Sequence, residues 1–573
     1  MTSTEARGDV VPTRRPADYD ADVIVVGAGP IGLATACALR HHGVDCRVLE
    51  ERTEPKPYSR ANNLWARPQE LLAAIGIRDA LAEKSYRTRR ANSVLNGRPI
   101  DPIELDEVAS PYPELLYSGQ DVIETTLTEA LARKGGGVER GRKVAGLEPD
   151  DEGVTVMVAD ASDADGPTER LRCRYLVGAD GDAGAVRKAV GLDFEKTRFE
   201  GRINRQVDAK LRWRRSTDPD QIWFFYYKPN GFAGVLPVWG GYHRLYFLQD
   251  DSGVPDRDPT LEEMQALARE VTGDDTLTLT DPIWLTHSRF QYGVAPHYAR
   301  GRVFLVGDAG HHTLPIGGQG MNAGFHDAVG LAWRLAMTLR GGAAPVVLDS
   351  YDGERGGEHA RLSGQQATGF RRVVYRTTAA DLALDVGAKV LPNLGSLIQG
   401  TNDLHQLSVN YPQSLLNEDH LGGLDRLLHP KTPRAGDRAP DAAVTSGARA
   451  SSLFPHLYNP DGRSWGWALL GFDGRRRDAA SDLEAARGAV AGWDWIRPRL
   501  VLAAPAPEAG GDGVTTLFDL DAHAHRAYGL DGQPALVLIR PDGHIAFRGP
   551  ADRPELLEGY CRTVFGPPRA ATS

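Results

Sequence analysis

The sequence predicts an α/β fold of several domains, in which a Rossmann-like dinucleotide-binding domain carries an interleaved, mainly-β segment. Three observations predict it. From Asp22 to Glu50 an apolar β-branched run, a glycine turn, a helical pattern and a second apolar run ending in an acid follow one another, which is the order of a βαβ unit. From Gly301 to Leu335 another apolar run enters a glycine-rich loop and leaves it as a helix. Between these stretches, over residues 195–296, helical periodicity fades and aromatic runs alternate with glycine turns.

The chain has 573 residues, too many for one core, so roughly two to four domains are expected. Hydrophobic residues make up 41% and charged residues 25%, and the net charge of −10 is spread along the chain. No basic stripe suggests a nucleic-acid partner, and no apolar run approaches a membrane span. The four cysteines, Cys37, Cys46, Cys173 and Cys561, have neither metal-ligand spacing nor a CxxC pair, as expected of a reduced, cytoplasmic chain that holds no metal. Residues 1–18 carry charges and prolines without an apolar signal core and are expected to be a disordered lead-in.

In the opening unit, Gly27 permits the tight turn, Gly29 lets the backbone approach a pyrophosphate and Gly32 lets the helix lie close to the strand. Pro30 and Ile31 begin that helix, whose free N–H groups and positive dipole end would face phosphates. Glu50, with Glu51 after it, stands at the spacing at which an acid accepts from a ribose, so NAD and FAD are both open at this point.

Downstream, Pro68 stands near a helix start, Leu71, Leu72 and Ile75 form an apolar face, and Gly76 ends it. Arg60, delivered beside the phosphate site, is a candidate diphosphate contact. Residues 87–113 alternate like strands and leave the βαβ rhythm as an excursion from the nucleotide domain. Helical period returns over residues 119–131. A buried strand from Cys173 runs into Asp180-Gly181, and ligands in open α/β sheets bind beyond such strand ends, so Asp180 is expected to face the cofactor or to cap the next helix.

Three aromatic strands follow, containing Tyr226, Phe232, Trp239 and Tyr246, which could wall a flat organic substrate or fill a core. At Gly307-Asp308 a strand ends where an acid can accept from a sugar or ribityl hydroxyl, and a helix begins near Gly320 to Asn322. Residues 401–440 are expected to form a linker region, and residues 441–573 a compact α/β unit with a hairpin turn at Arg540-Pro-Asp-Gly-His544.

Together these residues resemble the single-component FAD-dependent aromatic hydroxylases, the group of para-hydroxybenzoate hydroxylase, phenol hydroxylase and polyketide-tailoring hydroxylases. The resemblance rests on Gly27-Ala-Gly-Pro-Ile-Gly32, on Asp180-Gly181 with Arg187, and on Gly307-Asp308 continuing through Pro315 to Gly317-Gly318-Gln-Gly320-Met321-Asn322. It implies that residues 19–86, 114–194 and 297–400 bind FAD, that 87–113 and 195–296 bind substrate, and that 441–573 is thioredoxin-like. The last unit lacks CxxC and would be a structural or oligomerising appendage, compatible with a homodimer or higher homo-oligomer. The resemblance also assigns Arg60 and Gln120 to FAD. Where the phenol hydroxylase branch has an acid near the substrate hydroxyl, this chain has Asn62.

The chemistry implied is reduction of FAD by visiting NADPH or NADH, followed by hydroxylation of a phenol or hydroxypyridine by O₂ through a C4a-hydroperoxyflavin. Its setting would be natural-product tailoring or aromatic catabolism. Asn62 and Pro315 are the expected catalytic and substrate neighbours of the ring, with Tyr226, Phe232, Trp239 and Tyr246 as chamber walls and His311 as a candidate for proton transfer. Two competing readings are Baeyer–Villiger oxygenation of a polyketide ketone on the same scaffold and sequestration of an aromatic antibiotic. A halogenase reading of Trp465-Gly-Trp467 is disfavoured by its place in the C-terminal unit.

Overall fold

Burial of β-branched runs on both faces organises the first sheet. In the computed structural model the described residues are 18–55, 61–163, 166–227, 231–314, 316–374, 401–421, 432–447, 449–458, 466–476, 479–504 and 515–568. Ala21–Val26 is buried along its length and runs parallel to both Cys46–Glu50 and Glu169–Gly178. Val138–Arg140 and Val303–Leu305 continue the sheet on either side, again in parallel. Helices Pro30–His41, Gln120–Arg133 and Gln319–Leu339 contribute to the same core as the sheet. The four cysteines are free and buried, and burial raises the thiols of Cys37 and Cys46 to about 12.

A second, seven-stranded sheet takes two strands, Arg90–Leu95 and Arg98–Glu104, from the excursion and five from residues 202–288. Arg90–Leu95 pairs in parallel with Gln221–Tyr227, which locks the excursion to the aromatic strands. Alternation divides this sheet. Phe225, Val235, Leu245 and Phe247 point to the face covered by helix Leu261–Thr272, started by a Thr260/Glu263 capping box. Ile222, Phe224, Leu236 and Tyr246 point to the other face and pack with Trp65 and Tyr117 of the nucleotide-binding part.

An eight-stranded sheet forms the C-terminal unit, with Trp467–Phe472 between parallel Ile496–Leu502 and antiparallel Ala535–Ile539. Residues 401–421 do not behave as a linker. Tyr411 and Leu416 are buried, and Glu418–Asp419 pairs with Ile545–Pro550 as an edge of this sheet. The expected hairpin is present and is a docking element. Arg67 donates to the Asp542 carbonyl at 2.5 Å, Trp333 Nε1 donates to the Asp542 carboxylate at 2.9 Å, and Arg540 donates to Glu354 at 2.7 Å. These charges are buried and paired, and removing one partner of such a pair costs about 3–5 kcal/mol. Trp467 lies in the core against Trp333. Residues 1–17 and Trp465 lie outside the described residues. Among the described residues no helix is long and apolar enough to cross a membrane.

Candidate active site

The site begins at the carboxyl ends of the parallel strands. Gly27 has φ +105°, and a Cβ there would meet the Ala179 carbonyl oxygen at 2.4 Å. A Cβ on Gly32 would lie 2.0 Å from the Gly27 carbonyl oxygen, so glycine is needed for the helix to approach the strand. Gly29 differs from both, because a Cβ there meets nothing within 4 Å. It caps helix Pro30–His41 and faces open space, as a phosphate-binding turn requires. Glu50 stabilises this turn directly: Oε2 accepts from Ala28 N at 2.7 Å, and Oε1 accepts from the Arg52 side chain and backbone. Burial opposes its ionisation, but these donors outweigh burial and hold its pKa below the ordinary value.

Two further strand ends converge on the same edge. Asp180 Oδ2 accepts from Val186 N at 2.8 Å and so caps the next helix, while Oδ1 is buried without a partner among the described residues. Burial raises the Asp180 pKa, and Oδ1 is left as an acceptor that a hydroxyl could fill. Asp308 is exposed at the end of Val303–Leu305 and makes no hydrogen bond or ion pair among the described residues. Gly317 and Gly318 have φ +67° and +65° and lead into helix Gln319–Leu339, whose N-terminus points its dipole at the loop. An open glycine cradle, an orphaned carboxylate oxygen, a free carboxylate and a helix N-terminus together match the pyrophosphate, the polyol and the partly anionic ring of FAD.

Other expected cofactor residues serve the frame. Arg187 is buried, with Nε on Asp193, Nη1 on the Ala309 carbonyl at 2.9 Å and Nη2 on the Asp182 carbonyl, so it ties the two Asp/Gly turns together rather than projecting to a ligand. The Asn322 amide is consumed likewise: Oδ1 accepts from Trp65 N, and Nδ2 donates to the Asn63 and Gly318 carbonyls. Ile31 is the wedge against Gly307 and Gly324, where a Cβ would fall 3.1 Å and 2.6 Å from it. Met321 packs on the nucleotide-domain core, and a Cβ on Gly320 would meet Thr313 Oγ1 at 2.6 Å. Glu51 points outward, paired with Lys143 at 3.0 Å. Gln120 starts its helix, its Oε1 accepting from Ala61 N at 3.3 Å, and Gly181 is open with φ +75°. Arg60 and Pro315 lie outside the described residues.

His311 is a correction. Its ring is fully buried, stacked on His359 at 3.7 Å, with Nε2 3.1 Å from Asp327 Oδ2. Asp327 also accepts from Gly307 N at 2.9 Å and from Arg355 Nε at 2.6 Å, so this group is the anchor beneath the Gly307-Asp308 turn. Burial opposes the Asp327 charge, but His359 and Arg355 outweigh it and hold its pKa far below the ordinary value. His359 itself is pushed down to about 3, chiefly by burial. Neither Asp327 nor Arg355 carries a periodic signal in the sequence. Their roles depend on contacts between residues 16 to 32 positions apart.

The aromatic residues divide. Phe232 lies 5.1 Å from Tyr226 and 5.9 Å from Tyr246, all three half-buried on the sheet face that looks toward Trp65. Gly234 lies beneath the Tyr246 ring, which a Cβ would meet at 2.4 Å. Trp239 does not join them. It is 40% exposed past the end of its strand, and its ring lies 4.9 Å from that of Tyr86, tilted by 42°. Opposite this face, Asn62–Trp65 abuts the glycine loop through Trp65 Nε1 to the Gly317 carbonyl at 2.6 Å. Asn62 is 4% exposed and its Nδ2 has no partner among the described residues.

Comparison with known proteins agrees with this geometry. A family model described as FAD binding domain matches residues 20–363, and one described as aromatic-ring hydroxylase, C-terminal, matches residues 432–568. The chain is 31% identical over 555 residues to 12-dehydrotetracycline 5-monooxygenase/anhydrotetracycline 6-monooxygenase of Streptomyces rimosus, covering 96% of this chain and 99% of that one. It is 27% identical over 547 residues to pentachlorophenol 4-monooxygenase of Sphingobium chlorophenolicum, covering 94% and 95%. Among solved structures, aklavinone-11 hydroxylase in a ternary complex with FAD and aklavinone superimposes with a TM-score of 0.74 at 25% identity, over 96% of this chain and all of that one. With the first model covering more than half of the chain and the likeness running end to end, the protein belongs to the FAD-dependent aromatic-ring hydroxylases and is a flavoprotein monooxygenase.

Proposed function

We propose that the protein hydroxylates a phenolic ring of a polycyclic, polyketide-type substrate, taking electrons from NADPH or NADH and oxygen from O₂. The observation that carries this reading is the half-buried aromatic face of Tyr226, Phe232 and Tyr246, set across from the Asn62–Trp65 segment and the glycine loop. The names of the tetracycline and pentachlorophenol monooxygenases support an activated phenol as the substrate class.

FAD, when bound, supplies reductive activation of O₂ and delivery of one oxygen atom. The residues of this chain hold and shield it. Gly29 and its helix receive the pyrophosphate, and Asp180 Oδ1 and the Asp308 carboxylate accept from its hydroxyls. The N-terminus of Gln319–Leu339 stabilises negative charge on the ring. Phe232 and Tyr246 hold the substrate plane and exclude water, which protects the reactive state from wasteful decay. Asn62 cannot act as a base. Its unpartnered Nδ2–H donates to the substrate oxygen and favours binding of the phenolate, whose proton is given up to solvent before the ring is enclosed, and the bound anion has the higher electron density on the carbon to be hydroxylated.

The test is a screen of phenols for accelerated NADPH oxidation, with product stoichiometry. Stimulated oxidation coupled to a hydroxylated product is expected. Tight binding without coupled product would identify sequestration, and conversion of a ketone to an ester would identify Baeyer–Villiger chemistry.

A further inference from the structure

Strand register places a second buried donor on the substrate-facing side of the seven-stranded sheet. Gln206 pairs directly with Tyr246, and Tyr246 pairs with Gly234, so all three project to one face. Gln206 is 9% exposed and its Nε2 has no hydrogen-bond partner among the described residues. Across the next strand it pairs with Thr286, and the neighbouring Asn204 pairs with Ser288, to whose hydroxyl it donates at 3.4 Å. The face therefore has two halves: an aromatic half around Phe232 and Tyr246, and a polar half in which Asn204 is satisfied and Gln206 is not.

A buried amide donor without an acceptor is costly, and proteins leave such groups open where a ligand completes them. Asn62, whose Nδ2 is likewise unpartnered, belongs to the Asn62–Trp65 segment, whose Trp65 packs against this face. Two buried donors without acceptors, one on the sheet face and one on the segment whose Trp65 packs against it, suit a ligand with oxygens on two edges.

We propose that Gln206 Nε2 donates to a carbonyl oxygen on the edge of the substrate remote from the reacting hydroxyl, which makes the preferred substrate class a planar, fused-ring hydroxyketone or hydroxyquinone rather than a simple phenol. This inference rests on the hydroxylase reading above and adds to it a residue that selects the substrate. The polar half of the sheet receives the carbonyl edge, and the aromatic half receives the ring plane.

The test uses the holoenzyme and a matched pair of planar probes, 2-hydroxyfluorenone and 2-hydroxyfluorene, which differ in one carbonyl oxygen. Binding is read from the perturbation of flavin absorbance, and turnover from NADPH oxidation with product analysis. The wild-type protein is expected to prefer the ketone by about tenfold, the effect of one buried hydrogen bond. Gln206→Leu should abolish the preference by losing affinity for the ketone while binding hydroxyfluorene unchanged. Gln206→Met, close in length and without a donor, carries the same expectation if the leucine variant loses flavin. A wild-type protein indifferent to the carbonyl, or a variant that keeps the preference, overturns the inference. Coupled hydroxylation of hydroxyfluorene without a carbonyl preference would overturn this inference alone. A carbonyl preference without any oxygenated product would overturn the hydroxylase reading and leave the assignment of Gln206 standing.

Discussion

Gly29→Val separates cofactor binding from folding. Gly29 has φ −73° and ψ 178°, which valine adopts readily, and no protein atom lies within 4 Å of a Cβ placed there. The apoprotein should therefore lose only the cap preference of glycine over valine, about 1 kcal/mol. The flavin should lose far more. The branched side chain stands where the pyrophosphate must approach the N–H groups of helix Pro30–His41, so charge-assisted hydrogen bonds of about 1.5–3 kcal/mol are stretched or lost. Overpacking adds about 1–3 kcal/mol. The sum, about 2.5–6 kcal/mol, raises the dissociation constant for FAD by about 10²–10⁴-fold. Gly32→Ala is the contrast, because its Cβ would fall 2.0 Å from the Gly27 carbonyl and should damage the fold itself. The assay is the flavin-to-protein absorbance ratio after gel filtration, fluorescence titration of the apoprotein with FAD, and a thermal melt. A Gly29→Val protein that keeps a wild-type flavin ratio would refute the placement of the pyrophosphate.

Other expectations follow from the same geometry. Asp308→Ala removes a free carboxylate from the strand end and should weaken FAD by about 10- to 100-fold, measured by the same titration, with little change in the apoprotein melt. Asp327→Ala leaves the buried Arg355 guanidinium without its anion and frees the Gly307 N–H, at a cost of about 3–5 kcal/mol in denaturant unfolding. In the C-terminal unit, burial opposes protonation of His525, but Asp473 and Asp519 at 2.9 Å and 2.7 Å outweigh it and hold its pKa above 6.5. A pKa raised on folding means that the native state binds the extra proton. Its stabilisation is complete below the unfolded value and is lost as pH rises through the folded value. His525→Gln should therefore flatten the stability profile just above pH 6.5 while leaving flavin content unchanged, as pH-dependent melts would show.

What was legible in the sequence was local. The glycines at 27, 29 and 32 announce themselves because a turn, an open approach and a close helix–strand contact each leave a fixed spacing. The aromatic strands were equally visible, but their register was not. Only pairing shows that Tyr226, Phe232 and Tyr246 share a face, that Gln206 joins them and that Trp239 does not. His311 looked chemical because histidine in a motif loop is usually accessible. It is instead one layer of a buried anchor whose other members, Asp327, Arg355 and His359, come from two later helices. Arg187 and Asn322 stand at family positions, and only the fold shows that their side chains hydrogen-bond to protein carbonyls and amides. The docking of the C-terminal unit had no sequence signal, since Arg540 and Glu354 lie 186 residues apart.

The central claim is that flavin-activated molecular oxygen is delivered to an aromatic ring held on the sheet face. Turnover under ¹⁸O₂ with a phenolic substrate, followed by product mass spectrometry, tests it most directly. One heavy oxygen atom in each hydroxylated product is the predicted result. Product formed without label from O₂, or NADPH consumed with peroxide as the sole oxygen product, would contradict it.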